Sequence, residues 1–211
     1  DRRQRQMCIR DRFSGGFKDN KHLAFGFLTG ILRVAKESIF SGMNNLSINS
    51  VLDHKYSAYF GFTPDEVREM AAYYGASDKY DEICEWYDGY RLIAHRQTGN
   101  ECYSMYSPKS VVEAMLRHKF GTYWNQTETY EALKIYIQMD MDGLKDSVVR
   151  MLAGESVPIN IGTFSNDMTT FATKDDVLTL LVHLGYLTYD SVDGTVSIPN
   201  KEVSRLSLIH I

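Results

Sequence analysis

Residues 22–28, His-Leu-Ala-Phe-Gly-Phe-Leu, form an almost unbroken apolar run that stops abruptly at Thr29-Gly30. A run this short and continuous predicts a strand buried on both faces, as inside a parallel sheet. Gly26 and the Thr-Gly stop argue against a buried helix. The constraint is severe, because a lone parallel strand leaves both its backbone edges and both its faces without partners. The rest of the chain offers no evident companion strand for that sheet. The expectation is therefore that residues 22–28 belong to a sheet whose other strands lie in an N-terminal half outside this sequence.

The middle of the chain reads as helices. Residues 31–60 are mixed, with a loop at Ser41-Gly42 and Asn44-Asn45. Thr63-Pro64-Asp65-Glu66 is a capping box with Pro at the first helical position. Val67, Met70, Ala71 and Tyr74 follow at helical spacing, and Gly75 stops the helix. A second helix is predicted over 77–87, a third from Ser107-Pro108 through Leu116, and others over 129–139 and 142–153. Ser107 is placed to cap the third. Further on, ESVPINI (155–161) reads as a short strand, and Thr173 caps a helix with the stripe Val177, Leu180, Leu181, Leu184. YLTYD (186–190) and TVSIP (195–199) flank a loop containing Asp193-Gly194, the pattern of a hairpin. Helix, short strand, helix, hairpin is the order of a winged helix.

Charge narrows the function classes. The net charge is −4, and the first twelve residues hold five Arg against two Asp, which leaves the remainder at about −7. An acidic body disfavours a broad phosphate-binding surface. Cys8, Cys84 and Cys102 form no C-x-x-C and are odd in number, which reads as reduced thiols and a cytoplasmic location. No apolar run is long enough for a membrane span. The segments 7–12 (MCIRDR) and 206–211 (LSLIHI) look like translated sequencing-adapter read-through of metagenomic origin, so residues 1–12 and 205–211 are expected to lie outside the fold.

Seven segments occur in one order: 27–53 (FLTGILRVAKESIFSGMNNLSINSVLD), FGFTPDEV, EWYDGYR, YSPKSVVEAM, GTYWNQT, LGYLTYD and SIPNKEV. Together, over residues 13–204, they resemble the bacterial AAA-ATPase-like family of P-loop NTPases, related to the STAND signalling ATPases. The resemblance implies an upstream part with a Walker A loop and a Walker B Asp, then a helical lid and a winged helix, often followed by a restriction-endonuclease-like nuclease domain. It divides the chain into the end of an ATPase core with its sensor strand (13–50), a helical lid (51–130) and a winged-helix-like domain (131–204). The chain departs from the family in holding no G-x-x-x-x-G-K-[ST]. Ser14-Gly15-Gly16-Phe17-Lys18 has the wrong spacing. Without that loop no row of backbone N–H groups cradles the β-phosphate, and Mg²⁺ lacks its support. ATP and Mg²⁺ thus belong to the intact parent, and this chain is not expected to hydrolyse ATP. Tyr106-Ser107-Pro108-Lys109-Ser110 also departs from the family's usual Tyr-Asn-Pro-Trp-Ser.

The resemblance implies nucleotide-contacting positions. Thr29 lies at a sensor-like place, where a hydroxyl at a strand's carboxyl end meets the γ-phosphate; the plainer reading is a strand-terminating turn. Arg33 and Lys36 are cations near the phosphates, or with Glu37 a solvated face. Trp86, Tyr87, Asp88, Gly89 and Tyr90 form an aromatic helix end that could stack on adenine, or the core of the lid. Asp19-Asn20-Lys21 and Asp53-His54-Lys55 match a nuclease tripeptide, but neither follows a convincing strand, and nuclease activity is rejected. The expected architecture is an α/β fragment of a P-loop sheet, then a mostly helical lid, then a small α+β winged helix. The expected function is a nucleotide-dependent conformational switch in the parent. The alternative is a helical and winged-helix module that binds protein or DNA and has no ATP role. Asp175 and Asp176 at the start of the second winged helix oppose a DNA backbone.

Overall fold

In a computed structural model of the 211-residue chain, residues 15–18, 20–30, 47, 49–96, 99–124, 141–164, 171 and 173–210 are described. They form a mixed α+β fold with two small antiparallel sheets. Two apolar cores organise it. The first lies under α1 (Pro64–Tyr73), α2 (Tyr80–Tyr87) and α3 (Pro108–Arg117), where Val67, Ile83, Tyr87, Val111 and Met115 are buried. Between α2 and α3 runs a hairpin of β1 (Tyr90–Arg96) and β2 (Gly99–Met105), paired from Tyr90↔Met105 to Arg96↔Gly99. The second core lies under α4 (Leu144–Leu152), β3 (Val157–Pro158), α5 (Lys174–His183), β4 (Thr188–Asp190), β5 (Thr195–Ser197) and α6 (Lys201–His210). Its sheet has the order β3-β5-β4.

The local signals explain these elements. The box around α1 closes as expected: the Thr63 N–H donates to Glu66 Oε2 at 2.8 Å, and the Thr63 hydroxyl accepts from the Glu66 N–H at 3.3 Å. Thr173 and Asp176 make the same reciprocal pair at α5, at 3.0 and 3.4 Å. The α5 stripe is buried as predicted, and more widely than predicted. Every residue from Asp176 to Val182 is buried, so α5 is a central helix enclosed on all sides.

Several expectations are corrected. Residues 21–30 are irregular and exposed, not a buried strand, with Phe25 and Phe27 each 80% exposed. Gly26 lies against the Phe17 ring, where a Cβ would come within 2.2 Å of Cε1. The middle of the chain is not purely helical, because β1 and β2 interrupt it. The predicted 77–87 helix divides into a 3₁₀ turn (Ser77–Lys79) and α2. Ser107 stands at the N-cap of α3 but makes no capping bond; its hydroxyl pairs with that of Ser110 at 3.2 Å. Residues 205–210, expected outside the fold, continue α6, and Leu206 is 4% exposed. The helix predicted over 129–139 falls outside the described residues.

The α1 box yields a pH test. The Thr63 backbone and hydroxyl bonds hold the Glu66 carboxyl below its ordinary value of 4.5. A depressed native value gives stability that is present above the unfolded value and lost as pH falls through the native one. Glu66→Gln should therefore cost about 0.5 kcal/mol at pH 6, low for a cap because both partners are solvated. Urea unfolding should show that difference shrinking below pH 4.5.

Candidate functional site

Four of the segments singled out in the sequence, EWYDGYR, GTYWNQT, LGYLTYD and SIPNKEV, meet in one place, the joint between the two cores. Its centre is Glu202, 1% exposed in the first turn of α6. Asn200 starts that helix, its Oδ1 accepting the Val203 N–H at 3.1 Å. Glu202 Oε1 accepts the backbone N–H groups of Tyr123 at 2.5 Å and Trp124 at 3.1 Å. The bonds fasten the chain that leaves α3 onto the second core.

Tyr87 holds the same stretch from the other side. Its hydroxyl donates to the Gly121 carbonyl and accepts from the Gly121 N–H, both at 3.1 Å. After it, Asp88 Oδ1 accepts from the Gly89 N–H at 2.7 Å and from the Ser104 hydroxyl. Gly89 has φ +121°, and a Cβ there would fall 1.9 Å from the Pro199 carbonyl oxygen. Only glycine permits both that backbone and that approach. The Tyr90 hydroxyl then donates to the Gly185 carbonyl at 2.8 Å. The Arg91 N–H donates to the Thr188 hydroxyl at 2.7 Å, and its guanidinium pairs with Asp190 at 2.9 Å. Lys201 pairs with Glu85 at 2.7 Å, and Lys201 and Arg205 lie 5.0 and 4.5 Å from the Trp86 ring centroid.

Electrostatics match the geometry. Burial pushes the Tyr87 and Tyr90 phenols above their ordinary range, and the neighbouring Glu202 carboxylate adds to the effect. Both therefore stay protonated and remain hydrogen-bond donors. The Val192 N–H, helped by Arg91, holds the Asp190 carboxyl below its ordinary value.

Trp86 to Tyr90 are thus brought together, with Trp86 5% and Tyr87 0% exposed. Their hydrogen bonds and cation contacts serve the joint. Thr29 lies in the exposed segment, and no hydrogen bond or ion pair among the described residues joins it to that turn. Arg33 and Lys36 fall outside the described residues. Asp53 stands in a loop, accepting from the Ser50 N–H at 2.6 Å and hydroxyl at 2.9 Å, and not on a strand. Among the described residues no group of His, Cys, Asp and Glu could hold a metal, and no helix is long and apolar enough to cross a membrane. The joint residue missed in the sequence is Glu202. Asn200 followed by an acidic first turn was the available signal for its helix; its backbone partners carry no sequence signature.

No protein-family profile matches the chain, and no solved structure does either. The chain is similar to an "Uncharacterized protein in vnfD 5'region" of Azotobacter chroococcum mcd 1, 33% identical over 121 residues. That match spans 57% of this chain and 22% of the relative, so the chain corresponds to about a fifth of the relative's length.

The joint predicts a graded series. Glu202→Ala leaves two half-buried N–H groups without an acceptor and should cost about 2–4 kcal/mol. Glu202→Gln keeps an acceptor oxygen and should cost less than half as much in the same urea titration. Gly89→Ala should cost on the order of 3 kcal/mol from strain and the clash with Pro199.

Proposed function

We propose that this chain is the lid and winged-helix portion of a bacterial AAA-ATPase-like protein, a part that turns nucleotide state into movement without hydrolysing ATP itself. The observation that carries the reading is the apolar segment of residues 22–28. Leu23, Phe25, Phe27 and Leu28 are 39%, 80%, 80% and 42% exposed. So much adjacent apolar surface calls for a partner, and an upstream P-loop sheet that takes the segment as an inner strand is one. In that setting Thr29, at the end of the segment, faces the γ-phosphate, and Arg33 and Lys36 follow it toward the phosphates. The seven ordered segments and the much greater length of the A. chroococcum relative support the same reading.

The second core supports the winged-helix assignment through its element order, α4, β3, α5, β4, β5, and its β3-β5-β4 sheet. Within that assignment the module packs and transmits and does not read DNA. A recognition helix must offer a free face to the major groove, whereas α5 is buried from Asp176 to Val182 and begins with two Asp. The joint gives such a module its use, because a rotation of the first core is passed to the second through Tyr87, Tyr90 and Glu202.

Two measurements test the proposal. Phe25→Ser with Phe27→Ser should leave the stability of this chain within about 0.5 kcal/mol, as expected for a segment whose partner is elsewhere. A loss of several kcal/mol would place that segment in this chain's own core. Titration calorimetry of this chain with Mg·ATP should give no saturable heat, and a polypeptide extended upstream should bind through a Walker A loop. Micromolar ATP binding by this chain, or an upstream reading frame without that loop, would overturn the assignment.

A further inference from the structure

Bordered by the joint's own Tyr90, Arg91, Trp124 and Thr188, a cavity of about 220 Å³ opens between the first core and the second. It is lined by Val51, Leu52, Trp124, Leu184 and Tyr189, which pack against the second core, and by Phe60 and Met105. We propose that this cavity is a binding site for a neutral, flat aromatic molecule of one or two fused rings.

Bonds among its lining residues fix their positions. The Arg91 N–H to Thr188 hydroxyl bond at 2.7 Å and the Tyr90 hydroxyl to Gly185 carbonyl bond at 2.8 Å tie the hairpin to the second core. Next to them, Phe62 and Tyr106 exchange backbone bonds at 3.2 and 2.9 Å. The space is thus bordered by positioned groups, as small-molecule sites are. A cavity of about 150 Å³ in another protein is large enough for benzene. The larger space here takes a second ring.

The lining sets the chemistry. Several of its polar side chains are engaged within the protein: Ser107 with Ser110 at 3.2 Å, Arg91 with Asp190 at 2.9 Å, and the Tyr90 and Thr188 hydroxyls in the ties above. His183 stacks on Phe164 with centroids 5.7 Å apart. A charged ligand finds no uncommitted counter-charge among these groups, and the exposed Asp53 carboxylate at the rim repels anions. The triphosphate of ATP is therefore not the occupant, and the inference is independent of the nucleotide reading. Trp124, Phe60 and Tyr189 offer ring contacts, and Met105 a thioether, which together favour a planar aromatic over a branched aliphatic molecule. A molecule held here touches both cores and strengthens their association.

Indole is the probe. Calorimetry of the full chain should show one saturable site, and indole at ten times its Kd should raise Tm by about 3–6 °C. Cyclohexanol and Mg·ATP should give no comparable shift. Val51→Trp and Leu184→Trp each fill the cavity from a half-buried position in its lining, and either one, once shown to unfold cooperatively, should lose the indole shift. The proposal is overturned if indole does not bind the unmodified chain saturably, if folded filled variants bind it undiminished, or if cyclohexanol binds as tightly.

Discussion

The Glu202 carboxylate, enclosed between the two cores, accepts two successive backbone N–H groups from Tyr123 and Trp124. A buried carboxylate is costly unless hydrogen bonds replace the water it has lost. This one can be satisfied only when α6 and the stretch after α3 stand in one relative position. The Tyr87 to Gly121 pair and the approach of Gly89 to Pro199 impose the same position independently. Each contact alone is modest, but they share a geometry, so loss of one loosens the others.

That mutual dependence gives the chain its mechanical character. Helices α1 to α3 bury one core and α4 to α6 another, and the described residues that follow α3, Gly121 to Trp124, are held to both by hydrogen bonds. Such a clamp holds the first core and the second in one relative position. The aromatic helix end at Trp86-Tyr87 belongs to this clamp. The apolar segment at residues 22–28 is its opposite, a group of side chains with no enclosure in the described structure.

What could be read in advance follows from the range of the forces. The two capping boxes, Thr63 with Glu66 and Thr173 with Asp176, involve residues three apart and were legible as spacing. The α5 stripe was legible for the same reason. The hairpin of β1 and β2 was not, because a run from Tyr90 to Met105 with mixed polar residues has no strong two-residue period, and only the Thr98-Gly99 punctuation hints at a turn. Helix α6 was not legible, because it follows the hairpin directly at Pro199-Asn200 and runs into the residues from 205 onward that were expected outside the fold. Its burial of Val203 and Leu206 depends on contacts with distant segments. The strand expected at 22–28 rested on composition alone, and composition cannot supply the neighbours that make a strand.

The sequence by itself determined the capped starts of α1 and α5, the apolar stripes they carry, and that no G-x-x-x-x-G-K-[ST] occurs, because these follow from neighbouring residues. Only the tertiary structure decided that Trp86 to Tyr90 face inward, that Glu202 is the acceptor which locks the cores, and that a cavity remains beside them. Those outcomes depend on groups as much as 116 positions apart, such as Glu85 and Lys201, and no local pattern encodes which distant backbone N–H will meet a given carboxylate.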